Sequence, residues 1–419
     1  MHVVTKKINF NLEDVVKEEV PFMSVFYRQK GELNDDVQDL LAFPIANKEA
    51  MPFYTIKDDS TYKLGVEFSN FYKMMEYALT VAFEDEEMLY EFFDCAFLRE
   101  HGEKFIPYAE YTFKERHPSL YGRFDACFNP VTEQLEGVYE FNGDTPVMLF
   151  ESVNLQARLS AELGTDQYNS WWDSSLTKFA SEGKNIAVAC GTDYVEDMAT
   201  CETVAQMFQT ARSDRNVSFL DLKELDYDHM NLKKPWIAKD SDKPLDAVYI
   251  LSPWEEMIGN FPQMLDHWEK WADNVTLFEP AWRWFFSNKG MMALCTYLME
   301  TDRAFANIFN SVKLIPTYLK HPMGAFGNHW VEKPVVGRLS NNIKVWDHGE
   351  LQSDTGGYYS EENTVFQSYM APYKVEGRNN FILGMWMVGA DAETMCLREF
   401  DGEVLSISNE RWIPHIVEA

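Results

Sequence analysis

Basic residues are scarce in this 419-residue chain: 37 Lys and Arg stand against 67 Asp and Glu, a formal net charge of −30. A nucleic-acid backbone or an anionic membrane surface rewards the opposite sign, so no nucleic-acid partner and no membrane are expected. The excess acid fits a cationic partner such as an amine, and it equally fits an acidic surface that keeps the protein in solution. Cysteine is sparse as well. Cys95, Cys127, Cys190, Cys201, Cys295 and Cys396 contain no C-x-x-C pair, which leaves no basis for a zinc ribbon or a disulfide framework. Long apolar runs are missing too. The longest, near Asn379 to Ala390, is well short of the roughly 18 residues of a membrane span. Met1 to Phe10 carries Lys6 and Lys7 but not the apolar stretch of a signal peptide, so the expected location is cytoplasmic.

The usual catalytic signatures are absent. There is no G-x-x-x-x-G-K-[ST] phosphate loop, no H-E-x-x-H helix, no G-x-S-x-G elbow, and no G-x-G-x-x-G after the first strand of the α/β region. The nine histidines are dispersed, and none is assigned to a metal.

What is present is the balance of a folded protein, 46% apolar and 25% charged, which rules out a disordered chain. Residues 1–60 read as polar and irregular. From Glu67 to Gly102, Phe68, Phe71, Met75, Tyr77, Leu79 and Phe83 recur at helical spacing, which predicts one or two helices on a core. Residues 186–251 read as an α/β unit: strand Ile186–Cys190, a helix to about Ala211, strand Val217–Leu220 and strand Ala247–Leu251. That alternation implies a parallel sheet. Short β runs follow at Trp330–Val336, Ile343–Trp346, Thr364–Tyr369, Phe381–Val388 and Thr394–Phe400, a mainly antiparallel C-terminal region.

The most informative stretch is a predicted hairpin, Tyr121–Phe128 with Gly137–Asn142. Residues two apart in a strand share a face, so Arg123 and Asp125 point together, as do Glu140 and Asn142. If the two polar faces coincide, Asp125, Glu140 and Asn142 converge as oxygen donors beside Arg123. Two carboxylates across a ladder repel unless a cation lies between them. A hard divalent ion such as Mg²⁺ suits such donors together with ligand phosphates. A solvated hairpin face with Arg123 bridging the acids fits the same spacing. Next comes Gly143-Asp144-Thr145-Pro146, where Thr145 reads as an N-cap and Pro146 as the first residue of a helix running to Leu163. Farther on, Lys289 falls in an apolar helical region and Lys333 inside an apolar β run. Arg338 and Arg398 add positive charge in β-rich surroundings. Phosphate binding and ordinary ion pairing both account for such residues.

Taken together, His117-Pro118-Ser119-Leu120-Tyr121-Gly122-Arg123-Phe124-Asp125 and Tyr139-Glu140-Phe141-Asn142-Gly143-Asp144-Thr145-Pro146 resemble the paired signature of the glutathionylspermidine synthase family, in its C-terminal synthetase domain, an ATP-grasp amide ligase. Phe278–Trp282, Ser287-Asn288-Lys289, Glu332-Lys333-Pro334, Gly337-Arg338, Phe366-Gln367, Leu397-Arg398-Glu399 and Pro414-His415 follow in matching order. The amidase domain of bifunctional members is not expected in this length.

The resemblance implies an α+β or α/β, ATP-grasp-like fold with a parallel α/β subdomain and a mainly antiparallel C-terminal region. The expected division is 1–180 for the helical start and hairpin, 181–275 for the α/β unit and 276–419 for the nucleotide-binding region, interleaved around one cleft. It further implies ATP and Mg²⁺ as cofactors. Asp125, Glu140 and Asn142 would hold the metal, and Lys289, Lys333 and Gln367 the nucleotide. Arg123, Arg338 and Arg398 would be catalytic, with Arg123 and Arg398 facing the transferred phosphoryl group and the acyl phosphate. Thr145, Glu196 and Asp197 would contact substrates, a peptide-like carboxylate and an amine or polyamine. The implied reaction is ADP-forming amide ligation through an acyl phosphate. Two departures stand out. Leu339-Ser340-Asn341-Asn342 follows Arg338 where many members carry Glu-Gly-Ala-Asn, and Glu393-Thr394-Met395-Cys396 replaces a smaller, Gly-containing segment. They keep open a second reading, an ATP-binding regulator or scaffold without turnover.

Overall fold

The computed structural model describes residues 1–419 except 31–32, 240, 242, 322–323, 325 and 407–408, and at 27–30 and 33–36 the backbone alone. Three helices, Asp58–Glu84, Glu86–Phe93 and Ala96–Lys114, occupy the region expected to hold one or two. Asp58 and Asp59 sit in the first turn of the long helix, where negative charge complements the amide dipoles. Asp85 caps the second by accepting from the Met88 amide. Phe68, Phe71, Met75 and Leu79 form the buried stripe. Tyr77 lies off that stripe, partly exposed, with its ring edge-on to Phe305 and Phe309.

The four-stranded parallel sheet runs in the spatial order Thr276–Phe278, Ala247–Leu251, Asn185–Cys190, Asn216–Asp221, with the helix Val195–Ala211 crossing between the last two. The hairpin consists of Arg123–Asn129 and Gln134–Asn142. It is continued by the C-terminal strands Asn380–Val388, Asp391–Phe400 and Glu410–Ile413 in one antiparallel sheet. A second antiparallel sheet contains His329–Pro334, Lys344–Asp347, Glu350–Asp354, Thr364–Ser368 and Thr317–Tyr318.

Two expectations need correction. Residues 1–60 are not irregular: His2–Lys6 pairs with Met51–Lys57, which pairs in parallel with His415–Glu418 from the far end of the sequence. Among the described residues four short helices lie between the first two strands, burying residues such as Val15, Met23 and Val37. Helices that short gain little from propensity and are held by tertiary contact, which no local window reveals. Nor does a helix start at Thr145. Residues 145–148 are extended or irregular, Met148 has a left-handed φ of 73°, and helical backbone begins at 149, passing through a π turn at Glu151–Leu155. The carbonyl of Val147 is instead taken by Arg123 Nη1 at 2.6 Å, which holds this segment off the helical path.

Arg283 joins the layers. It is fully buried, donates to the Tyr72 hydroxyl at 2.5 Å and the Tyr121 carbonyl at 2.7 Å, and lies 4.6 Å from the Phe141 ring centre. Its ion-pair partner Glu279, 3.5 Å away, also accepts from the Ser119 hydroxyl and the amides of Leu120 and Tyr121. The backbone leading into the hairpin is thereby bound to one carboxylate and one guanidinium. This explains two glycines of the signature segments. A Cβ on Gly122 would stand 2.1 Å from Arg283 Nη2, and one on Gly143 would stand 2.9 Å from both the Phe141 ring and Ser287 Oγ. Burial pushes Glu279 up to about 7, against the pull of Arg283, so removing the guanidinium strands a buried acid. Arg283→Met is expected to lower unfolding stability in urea by about 3–5 kcal/mol, and a loss below about 1 kcal/mol would contradict this anchor.

Candidate active site

In the hairpin register Arg123 faces Asn142 and Asp125 faces Glu140. The two acids are therefore directly opposed, as alternation along each strand predicts. Arg123 forks onto Asp125, Nε to Oδ1 at 2.8 Å and Nη2 to Oδ2 at 3.2 Å. Arg398, from the strand Asp391–Phe400, brings Nη2 to 2.6 Å from the same Oδ1 and Nη1 to 3.0 Å from Glu410. Asn142 Nδ2 donates to Asp125 Oδ2 at 3.0 Å. Glu140 is met by Lys289 at 3.2 Å.

Burial would raise both acids. The charges of Arg123 and Arg398 on Asp125, and of Lys289 and Lys333 on Glu140, outweigh it and hold each below its ordinary value. Both are ionised at neutral pH. Lys333 pays the converse cost of burial: desolvation, with some help from Lys289 and against Glu140, draws it down to about 8. It donates to Gln367 Oε1 at 2.8 Å, and Gln367 Nε2 is anchored on the Tyr139 carbonyl and the Thr317 hydroxyl. Gln367 thus orients Lys333. Lys289 is fixed by its own amide on the Val335 carbonyl and by Nζ on the Gly337 carbonyl, which ties it to the end of the strand carrying Lys333.

Two cavities meet at these acids. A slot of about 110 Å³ has apolar walls that include Val331, Val345, Ile382 and Phe400, with Lys333 and Gln367 beside them. A larger cavity of about 350 Å³ is lined by Arg123, Asn142, Thr145, Arg338 and Asp197, and by Gly191, Leu251 and Ser252 at the carboxyl ends of the parallel strands. That is where open α/β sheets place their ligands. Asp125, Glu140, Ser340, Arg398 and Leu405 line both. Lys289 lines neither cavity but reaches in through Glu140. Glu196, one residue before Asp197 at the start of the helix Val195–Ala211, is pushed up by burial and by Glu410, so it lies within electrostatic reach of the same chamber.

Several residues of the site have no local signature. Asp144 and Glu255 grip Arg338 Nη2, and Glu256 and Glu410 add acid to the large cavity. Asp144 lies within the signature segment Tyr139–Pro146, which is its signal in the sequence. Glu255 and Glu256 follow the carboxyl end of a parallel strand, which is a positional signal. Glu410 comes to Arg398 only through strand pairing. Of the two departures, Leu339-Ser340-Asn341-Asn342 does border the large cavity, and Leu339, Ser340 and Asn342 adopt φ of 55°, 55° and 57°, a conformation glycine takes at least cost. Glu393-Thr394 instead packs away from it, Glu393 accepting from the hydroxyls of Ser170 and Ser174.

Among the described residues no three His, Cys, Asp or Glu side chains form a metal-holding group. The hairpin offers two ionised carboxylates and one amide oxygen, the hard-donor kind that suits Mg²⁺ when ligand phosphates and water complete its shell. Arg398 adds a buried Nε–H without a hydrogen-bond partner, a donor suited to an anion. The donor set fits a metal–phosphate ligand.

A family model described as glutathionylspermidine synthase preATP-grasp matches residues 68–418. Trypanothione synthetase of Crithidia fasciculata is 23% identical over 319 residues, 68% of this chain and 46% of that protein, so the chain spans about half the length of this curated relative. A glutathione synthetase-like effector from Globodera pallida, solved in its apo form, superposes with a TM-score of 0.50 at 10% identity over 92% of this chain and 96% of that one, a likeness of fold. No helix among the described residues is long and apolar enough to cross a membrane. The matched span contains the hairpin, both lysines and the C-terminal strands, and the chain belongs to the glutathionylspermidine synthase family, with its ATP-grasp type of fold.

Proposed function

We propose that the protein is an ATP- and Mg²⁺-dependent ligase that joins a peptide-like carboxylate to an amine and releases ADP and phosphate. The observation that carries this reading is the opposed Asp125–Glu140 pair at the junction of an apolar slot and a polar chamber, ringed by Arg123, Arg398, Lys289 and Lys333. The slot suits a purine ring, with Lys333 in its lining and Lys289 behind Glu140 for the phosphates. The chamber suits the two substrates: its arginines suit a carboxylate and its acids an ammonium group. The family name supplies the pair to test first, glutathione and spermidine.

A bound Mg²⁺ would be held by Asp125, Glu140 and Asn142, and it would neutralise charge on the phosphates. Asp125 already accepts from Arg123 and Asn142 and is ion-paired with Arg398, so a bound metal would free Arg123 or Arg398 to meet the phosphoryl oxygens. Either guanidinium would then set a cation against the transferred group where it carries most charge, and a donor already fixed in place is most effective there. The substrate carboxylate then takes the γ-phosphoryl group and becomes an acyl phosphate, whose phosphate is a far better leaving group than an oxide. Attack by the amine at the acyl carbon closes the amide.

Three outcomes follow from this assignment. Mg²⁺ with ATP raises the melting temperature, by the equivalent of about 2.7 kcal/mol at a hundredfold excess over Kd. Lys333→Ala and Asp125→Asn each lose that increment, and Asp125→Asn also starts from a lower melting temperature because two buried arginines lose their partner. An undiminished increment in both variants removes the site assignment. ADP release requires the carboxylate and the amine together, whereas tight ATP binding without turnover on any carboxylate–amine pair favours the scaffold reading. Finally, Lys333 is charged below about 8 and loses its charge above it, so nucleotide affinity measured by calorimetry falls about eightfold between about pH 7.5 and about pH 9. Lys333→Arg abolishes that fall.

A further inference from the structure

Amide formation needs a proton removed. An aliphatic amine is an ammonium ion at neutral pH, and its lone pair is unavailable until that proton leaves. None of the cations around Asp125 and Glu140 can accept it. The acids of the large cavity differ in what already occupies them. Glu410 is taken by Arg398, and Glu256 accepts from the Ser252 hydroxyl at 3.2 Å. Asp197 lines the same cavity and, among the described residues, has no ion pair. It stands in the first turn of the helix Val195–Ala211, with Glu196 beside it and Glu256 near enough to repel it. The same cavity is lined by Arg398, 4% exposed, whose Nε–H lacks a hydrogen-bond partner. That buried donor marks where an anionic group binds, so the chamber holds a place for the electrophile and an unoccupied carboxylate together.

We propose that Asp197 is the general base of the amide-forming step, an assignment that rests on the ligase reading above. The ammonium N–H bond breaks and its proton passes to the Asp197 carboxylate. The freed nitrogen lone pair forms the new bond to the acyl carbon. The carbon–oxygen bond to phosphate breaks, phosphate leaves with that electron pair, and the second nitrogen proton departs with it. Burial, with repulsion from Glu196 and Glu256, pushes Asp197 up to about 7, where a carboxylate is basic enough to take a proton yet still partly ionised.

The test uses two nucleophiles with glutathione and Mg²⁺–ATP. Spermidine reaches the site as an ammonium ion and needs a base; hydroxylamine is largely neutral at pH 7 and does not. The wild-type protein is expected to form both the amide and the hydroxamate. Asp197→Asn is expected to lose amide formation by about 100-fold or more, while hydroxamate formation stays close to wild type, which also shows that the variant is folded and still makes the acyl phosphate. Equal losses with both nucleophiles overturn the base and leave Asp197 a structural role, a loss confined to the KM for spermidine with kcat retained overturns it in favour of ammonium binding, and an unchanged spermidine rate overturns it as well. A wild-type protein that releases no ADP with any carboxylate–amine pair removes the ligase reading, and the base with it.

Discussion

Two carboxylates held face to face across a β-ladder define this molecule. At an effective dielectric near 20, unit charges about 4 Å apart repel by about 4 kcal/mol, and burial adds to the cost of keeping both ionised. The hairpin tolerates Asp125 opposite Glu140 because four cations from four separate segments converge on them: Arg123 from the same strand, Arg398 from the C-terminal sheet, Lys289 from a helix start and Lys333 from the second sheet. Balancing that charge brings together a strand of the hairpin's own sheet, a helix start and a strand of the second sheet, segments far apart in sequence. It also leaves four cations against two acids, a local excess of positive charge that an incoming Mg²⁺–triphosphate complex, itself net negative, would offset.

The scaffold behind the cluster is equally specific. Arg283 and Glu279 bind the backbone on the way into the hairpin, and the rings of Phe141, Tyr72 and Phe286 enclose the guanidinium. A guanidinium fixed there leaves no room for side chains at Gly122, which stands next to Arg123. The geometry of the charged residues is thus set one layer below them.

Much of this was legible before any coordinates. Period-two alternation placed Asp125, Glu140, Arg123 and Asn142 correctly, because one face of each strand is committed to the site and a slip of one residue would reverse it. The parallel strands at Ile186–Cys190, Val217–Leu220 and Ala247–Leu251 were equally plain, as continuous β-branched and apolar runs. The misses have a common cause. Thr145 and Pro146 have the chemistry of a helix start, yet Arg123 claims the Val147 carbonyl and defers the helix; tertiary contact overrode a local preference. The first 60 residues carry strands whose partner lies at His415–Glu418, so their pairing cannot be read locally. Glu410 enters the site by strand pairing, which leaves no spacing in the sequence, and Glu255 from the first turn of the helix Trp254–Asn260, marked only by its position after a parallel strand.

The central claim is that one triphosphate is gripped where the two cavities join. A crystal structure with Mg²⁺ and a non-hydrolysable ATP analogue tests it most directly. The account predicts the base between Val331, Ile382 and Phe400, phosphate oxygens on Lys289 and Lys333, and metal density bounded by Asp125 and Glu140. An analogue bound elsewhere, with Arg123 and Arg398 still closed on Asp125, would contradict it.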